Sequence, residues 1–235
     1  MLSLRSYPVQ KCPWFFAPQT FAALIFRCHF VGYLVSGFIT NKDILTSIQH
    51  DIMPTLEIGN GTASSVLQSI DLVDVRLKST IGRHTLAVCL QPIFFFADWT
   101  LLIQFFETWI TQGATKFFIY LQSLSPEADE LLRVYEADPD IDVERVHWAP
   151  LPNDDPENEP NNYVYRGEVV ASVNDCVLRS RGQARLVVSS DLDEVIYAYN
   201  QSLISLMERL LQKHTKAAAF LFRTSFASFE VAEKN

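Results

Sequence analysis

The chain has 235 residues, 49% hydrophobic and 20% charged, with a formal net charge of −8. That length and apolar share allow a packed core and exclude global disorder. The acidic balance, with no Lys/Arg cluster, excludes a general nucleic-acid binder.

Four cysteines (Cys12, Cys28, Cys89, Cys176) form no CxxC and have no histidine at ligand spacing, which argues against zinc and against a disulfide framework. One Cys89–Cys176 bridge is compatible with an oxidising compartment; two small buried apolar residues are the alternative.

Residues 14–39, WFFAPQTFAALIFRCHFVGYLVSGFI, are long enough to cross a bilayer, which takes roughly 20 apolar residues. Arg5 and Lys11 precede the stretch, and Lys42 and Asp43 nearly cancel after it. The positive-inside rule then leaves the N-terminus cytoplasmic and the rest lumenal. Arg27 opposes insertion by about 2.5–3.5 kcal/mol; the apolar residues around it outweigh that if the stretch is a signal-anchor. A cleaved leader is disfavoured, because the apolar run starts late and no small-x-small site follows. The expected division is a tail and anchor over 1–40, a stem over 41–84 and the main domain over 85–235. Asn60-Gly61-Thr62 in the stem is a glycosylation triplet if that region is lumenal, and Asn200-Gln201-Ser202 is a weaker one.

From residue 85 the pattern alternates. TLAVCLQPIF (85–94) reads as a buried strand ending at Pro92. In the next segment Trp99, Leu102, Ile103, Phe106 and Ile110 fall on one helical stripe, closed by Gly113. KFFIYLQ (116–122) is a strand. Ser125 and Pro126 open a helix with acids in its first turn. IDVERVHW (141–148) alternates as a strand, and the acidic, Pro-rich run 149–162 is a long loop. Val169, Val170, Val173, Cys176 and Val177 make the next helical stripe, stopped by Gly182. ARLVVSS (184–190), with the apolar run Leu186-Val187-Val188 at its centre, is expected as a central strand covered on both faces. Leu203, Ile204, Met207, Leu210 and Leu211 mark a helix, and AAAFLFRTSF (217–226) a final strand. Alternating strands and helices predict an α/β fold with a mostly parallel sheet flanked by helices.

Ligands in such sheets bind beyond the carboxyl ends of the strands. SSDLDEVI (189–196) sets three carboxylates immediately past one such end. If the segment stays extended, Asp191 and Asp193 face together with Leu192 opposite. Paired carboxylates suit a hard divalent cation, Mn²⁺ or Mg²⁺, that keeps open positions for phosphate oxygens. The bland alternative is that Asp191, Asp193 and Glu194 only cap a turn. Neither a P-loop nor a GxGxxG is present to compete.

CLQPIFFFADWTLLIQFFETWITQGATKFFIY, then NNYVYRGEVVASVNDCVLRSRG, then VVSSDLDEVI resemble glycosyltransferase family 92, in order from about Leu86 to Phe229. The resemblance implies a GT-A fold, a Rossmann-like nucleotide-sugar domain. It implies a single-pass type II protein of the Golgi or secretory-pathway membrane, and an enzyme that moves galactose from UDP-galactose to a glycan acceptor with inversion, using Mn²⁺. Matched residue by residue, Asp191 and Asp193 would hold the metal and diphosphate, and Glu194 completes the DxDE. Gln91 and Pro92 would lie beside the base, and Arg166, Asn174 and Asp175 near the donor pocket. Arg166 as a surface charge and Asp175 as a partner for Arg179 one turn on remain the plainer readings. Cys89 and Cys176 match family cysteines. The chain stops soon after the strand that follows DxDE, so the segment that carries acceptor site and catalytic base in this fold is expected to be missing. No residue qualifies as the base, and His214 reads as a surface residue. A truncated, inactive remnant or a donor-binding protein is the alternative expectation.

Overall fold

The computed structural model describes residues 3–8, 33–50, 52–59, 66–72, 84–151, 157, 161 and 169–227. Before the main domain come two hairpins and a helix. β1 (Ser3–Pro8) pairs antiparallel with β2 (Tyr33–Phe38). α1 (Lys42–Gln49) starts at Asn41, whose side chain accepts from the backbone N–H of Asp43 and Ile44, and it buries none of its residues. β3 (Thr55–Gly59) pairs antiparallel with β4 (Val66–Asp71). Most of the expected anchor, residues 14–32, lies outside the described residues, as does the Asn60 triplet; residues 33–38 are extended. Among the described residues no helix is long and apolar enough to cross a membrane.

The main domain follows the predicted alternation. Its elements are β5 (His84–Ile93), α2 (Trp99–Thr111), β6 (Ala114–Leu121), α3 (Pro126–Glu136), β7 (Asp142–His147), α4 (Val169–Arg179), β8 (Ala184–Ser190) and α5 (Leu203–Lys213). The four strands form one all-parallel sheet in the order β7-β6-β5-β8. Helix boundaries carry the chemistry that the sequence announces. Ser125 Oγ accepts from Ala128 N–H, with Pro126 in the first turn and Glu127 and Asp129 beside the positive end of the dipole. Gly113 and Gly182 adopt positive φ, +94° and +80°, where the chain leaves α2 and α4.

The strand period of two sorts side chains between the faces. Leu86, Val88 and Leu90 of β5, with Phe117 and Ile119 of β6, pack under α2 and α3. Ala87 and Cys89, with Phe118 and Tyr120, face α4. There the Cys89–Cys176 disulfide ties β5 to α4, which decides between the two readings of those cysteines.

Four expectations are corrected. Among the described residues β8 is an edge strand, not a central one: β5 alone pairs with it, and Arg185, Val187 and Ser189 are exposed while Leu186 and Val188 pack inward. A run of apolar residues does not distinguish a strand covered twice from one covered once. Residues 217–226 form no strand, and 221–227 are exposed along their length; among the described residues no strand pairs with them. α2 buries Leu102, Phe105, Phe106 and Trp109, whereas Trp99 and Ile103 stand exposed. That helix is apolar almost all round, so the partner beneath it selects the face. In α4 the buried positions are Ser172 and Cys176, while Val177 is exposed.

Candidate functional site

The last ladder pair between β5 and β8 is Leu90 with Ser190. β5 runs on to Ile93, and its register against β6 slips between Leu90–Ile119 and Ile93–Leu121. Pro92 lacks the N–H that a regular ladder needs there, so the strand bulges at Gln91-Pro92. From β5 the chain steps to β6 on one side and reaches β8 on the other only through α4. The strand order therefore reverses between β5 and β8, and the crevice beyond their carboxyl ends is where open α/β sheets hold ligands. Asp191, Asp193 and Glu194 leave β8 at this point.

The segment is a turn, not an extended run: Glu194 N–H donates to the Asp191 carbonyl at 3.3 Å. Leu192 and Ile196 pack against the core on the α2 face, and drawing them inward bends the chain. The buried Ser190 hydroxyl lies 2.9 Å from the carbonyls of both Asp191 and Glu194 and closes the two ends of the turn. Strand alternation therefore does not pair Asp191 with Asp193; Leu192 and Asp193 sit at the centre of a turn. Asp193 and Glu194 are exposed, and neither is in an ion pair with a described residue. Asp191 is half-buried. A cavity of about 10 Å³ separates the turn from Gln104, Phe105, Thr108 and Trp109 of α2. It has room for about one water.

Among the described residues no group of three or more His, Cys, Asp or Glu is arranged to hold a metal. The turn offers two aspartates with hard oxygen donors. That set fits Mn²⁺ or Mg²⁺, whose remaining positions are taken by water and phosphate oxygens, and it does not fit a closed all-protein cage.

The other expected site residues are Arg166, Asn174 and Asp175. Arg166 lies outside the described residues. Asn174 is exposed, and its amide donates to the Val170 carbonyl at 2.7 Å. The Asp175 carboxylate accepts from Tyr120 Oη at 2.5 Å and from Arg179 Nε at 3.0 Å. No described hydrogen bond or ion pair joins it to the carboxylate turn. Burial and the Asp175 carboxylate push the Tyr120 phenol well above its ordinary value. Burial works against the charge of Arg179, but the Asp175 hydrogen bond and charge dominate and raise its pKa.

Phe95 was not singled out by any pattern. It takes φ +49° directly after β5, its N–H donates to Ser123 Oγ at 2.7 Å, and its ring is 89% exposed. A bulky residue held in the left-handed region at a ligand edge is a strained position maintained by its surroundings. Composition alone carries no signal for it.

The profile of Glycosyltransferase family 92 matches residues 84–235, which is the sheet, the disulfide-tied helix and the carboxylate turn together. The chain belongs to glycosyltransferase family 92. No curated protein matches it as a relative. Family 92 membership makes it a transferase acting between a nucleotide-sugar donor and a glycan acceptor, on an α/β fold consistent with GT-A.

Proposed function

We propose that this family 92 enzyme transfers a hexose, galactose from UDP-galactose, to a glycan with inversion, using Mn²⁺ or Mg²⁺ held by Asp191 and Asp193. One observation carries the reading: the carboxylate turn stands at the strand-order reversal of a parallel sheet, beside the bulged end of β5. The cation, when bound, supplies positive charge against a departing diphosphate. The chain's own part is positional. Ser190 and Leu192 fix the backbone of the turn that carries both carboxylates. Gln91 and Pro92 border the base side of the crevice, and Glu194 accepts from donor hydroxyls at its open end. His214 is the C-cap residue of α5, exposed and edge-on to Phe220.

We place the domain in the lumen of the Golgi or secretory pathway, behind an anchor in residues 14–39. The Cys89–Cys176 disulfide supports an oxidising compartment.

The test is titration of UDP-galactose in Mn²⁺ against the wild-type chain and Asp193→Ala. Removing one charge-assisted contact should weaken binding by about tenfold or more. The thermal midpoint should stay put, because Asp193 is exposed. Equal affinity in both proteins overturns the assignment.

A further inference from the structure

Beyond the carboxylate turn, Tyr197 and Tyr199 stand 69% and 80% exposed, with ring centroids 5.1 Å apart and planes at 84°. They flank Ala198, which is 9% exposed, and follow Ile196, which packs on the core. Ala198 is thus turned inward, while both rings stand in solvent close enough to meet edge to face. The segment is pinned beyond as well: Asn200 takes φ +55°, Ser202 caps α5 by accepting from Ser205 N–H, and Leu203 is buried. The chain thus holds two large aromatic rings in water, on a tethered segment, three residues past Glu194.

We propose that Tyr197 and Tyr199 form the platform for a neutral pyranose ring of the glycan acceptor. The proposal rests on the glycosyltransferase reading and extends it to the second substrate. Transfer requires an acceptor hydroxyl within bonding reach of the donor carbon, so the acceptor sugar has to lie beside the turn that holds the donor. A T-shaped tyrosine pair offers one open ring face for the C–H side of a pyranose and two phenol hydroxyls for its edge. Charge selects the kind of sugar. Glu194, outside the proposed cation pair, precedes Tyr197 by three residues, so an anionic ring beside the tyrosines meets a like charge and a neutral one does not.

The test uses the full chain and three neutral disaccharides (lactose, N-acetyllactosamine and chitobiose), observed by saturation-transfer NMR, with UDP titration in Mn²⁺ run alongside. At least one disaccharide should bind the wild type. Tyr197→Ala and Tyr199→Ala should each weaken it about fivefold, as expected for loss of one stacked ring. Tyr197→Phe, which keeps the ring, should retain most of the binding, and UDP affinity should be unchanged in every variant. Unchanged disaccharide affinity in both alanine variants overturns the proposal. So does a parallel loss of UDP affinity, which would make the tyrosines part of the donor site, and so does absence of binding to all three sugars. If disaccharide binding depends on the tyrosines while UDP does not bind the wild type, the platform stands and the donor assignment falls.

Discussion

The two faces of the sheet are built from different chemistry. Under α2 and α3 lie Phe105, Phe106, Trp109 and Phe117, with Phe106 stacked on Tyr135 at 4.1 Å. This face is held by apolar burial and ring packing. Against α4 the core is small: Ala87, Cys89, Phe118, Tyr120, Val146 and Cys176. A disulfide and a chain of charges supplement it. Tyr120 donates to Asp175, Arg179 bridges Asp175 and Glu144, and Lys116, only 3% exposed, reaches Glu144 and Asp142 at 3.1 Å while lying over the Phe118 ring. The difference matters for function, because α4 is the crossover that sets β8 beside β5. The face with the smaller apolar core is thus the one that fixes where the carboxylates emerge.

The largest effect is expected on the aromatic face. Phe106→Ala removes a fully buried ring from the stack and should lower stability by about 3–5 kcal/mol in denaturant unfolding. That loss should hardly change with salt or reductant. A strong dependence on either would break the contrast between the faces.

Cutting the disulfide comes next. Cys89 and Cys176 are 87 residues apart, so the bridge restrains a long loop of the unfolded chain. Reduction, or Cys176→Ala in a Cys89→Ala background, should cost about 2–5 kcal/mol. Hydrogen exchange should then rise in α4 and β8 before it rises in α2. Uniform loosening of both faces would show that the bridge does not act on the α4 side in particular.

The smallest effect should come from alkali. Burial, then the Glu107 hydrogen bond, pushes the Tyr135 phenol up from 10.0 to about 12, and Tyr120 is also raised. A folded pKa above the unfolded one favours the protonated, folded form. This contribution is complete below about pH 10 and is lost as pH climbs through the folded value. Absorbance titration should show the ionisation of Tyr120 and Tyr135 displaced above the ordinary tyrosine range. Tyr120→Phe and Tyr135→Phe should each remove one displaced component and flatten the loss of stability above pH 10. If neither substitution removes such a component, the buried hydrogen bonds of both faces are called into question.

Much of the fold was legible in the chain. β5, β6 and β7 begin and end within two residues of where apolar runs and turn residues put them, and Ser125-Pro126, Gly113 and Gly182 mark their helix ends as read. These signals are local: a cap, a φ, a period of two. The carboxylate cluster was legible as a cluster and as lying past a strand end. Its shape was not, because whether Leu192 points away from the acids or folds into the core depends on what α2 offers beneath it.

By itself the sequence determined the order of elements from β5 to α5, the parallel sheet and the place of three acids after β8, because backbone propensity and hydrophobic period act within a few residues. Only the tertiary structure decided that β8 is an edge, that Cys89 meets Cys176, that Asp175 serves Tyr120 and Arg179, and that Tyr197 and Tyr199 face water. Each of those depends on which surface lies opposite, and residues far apart in the chain supply that surface.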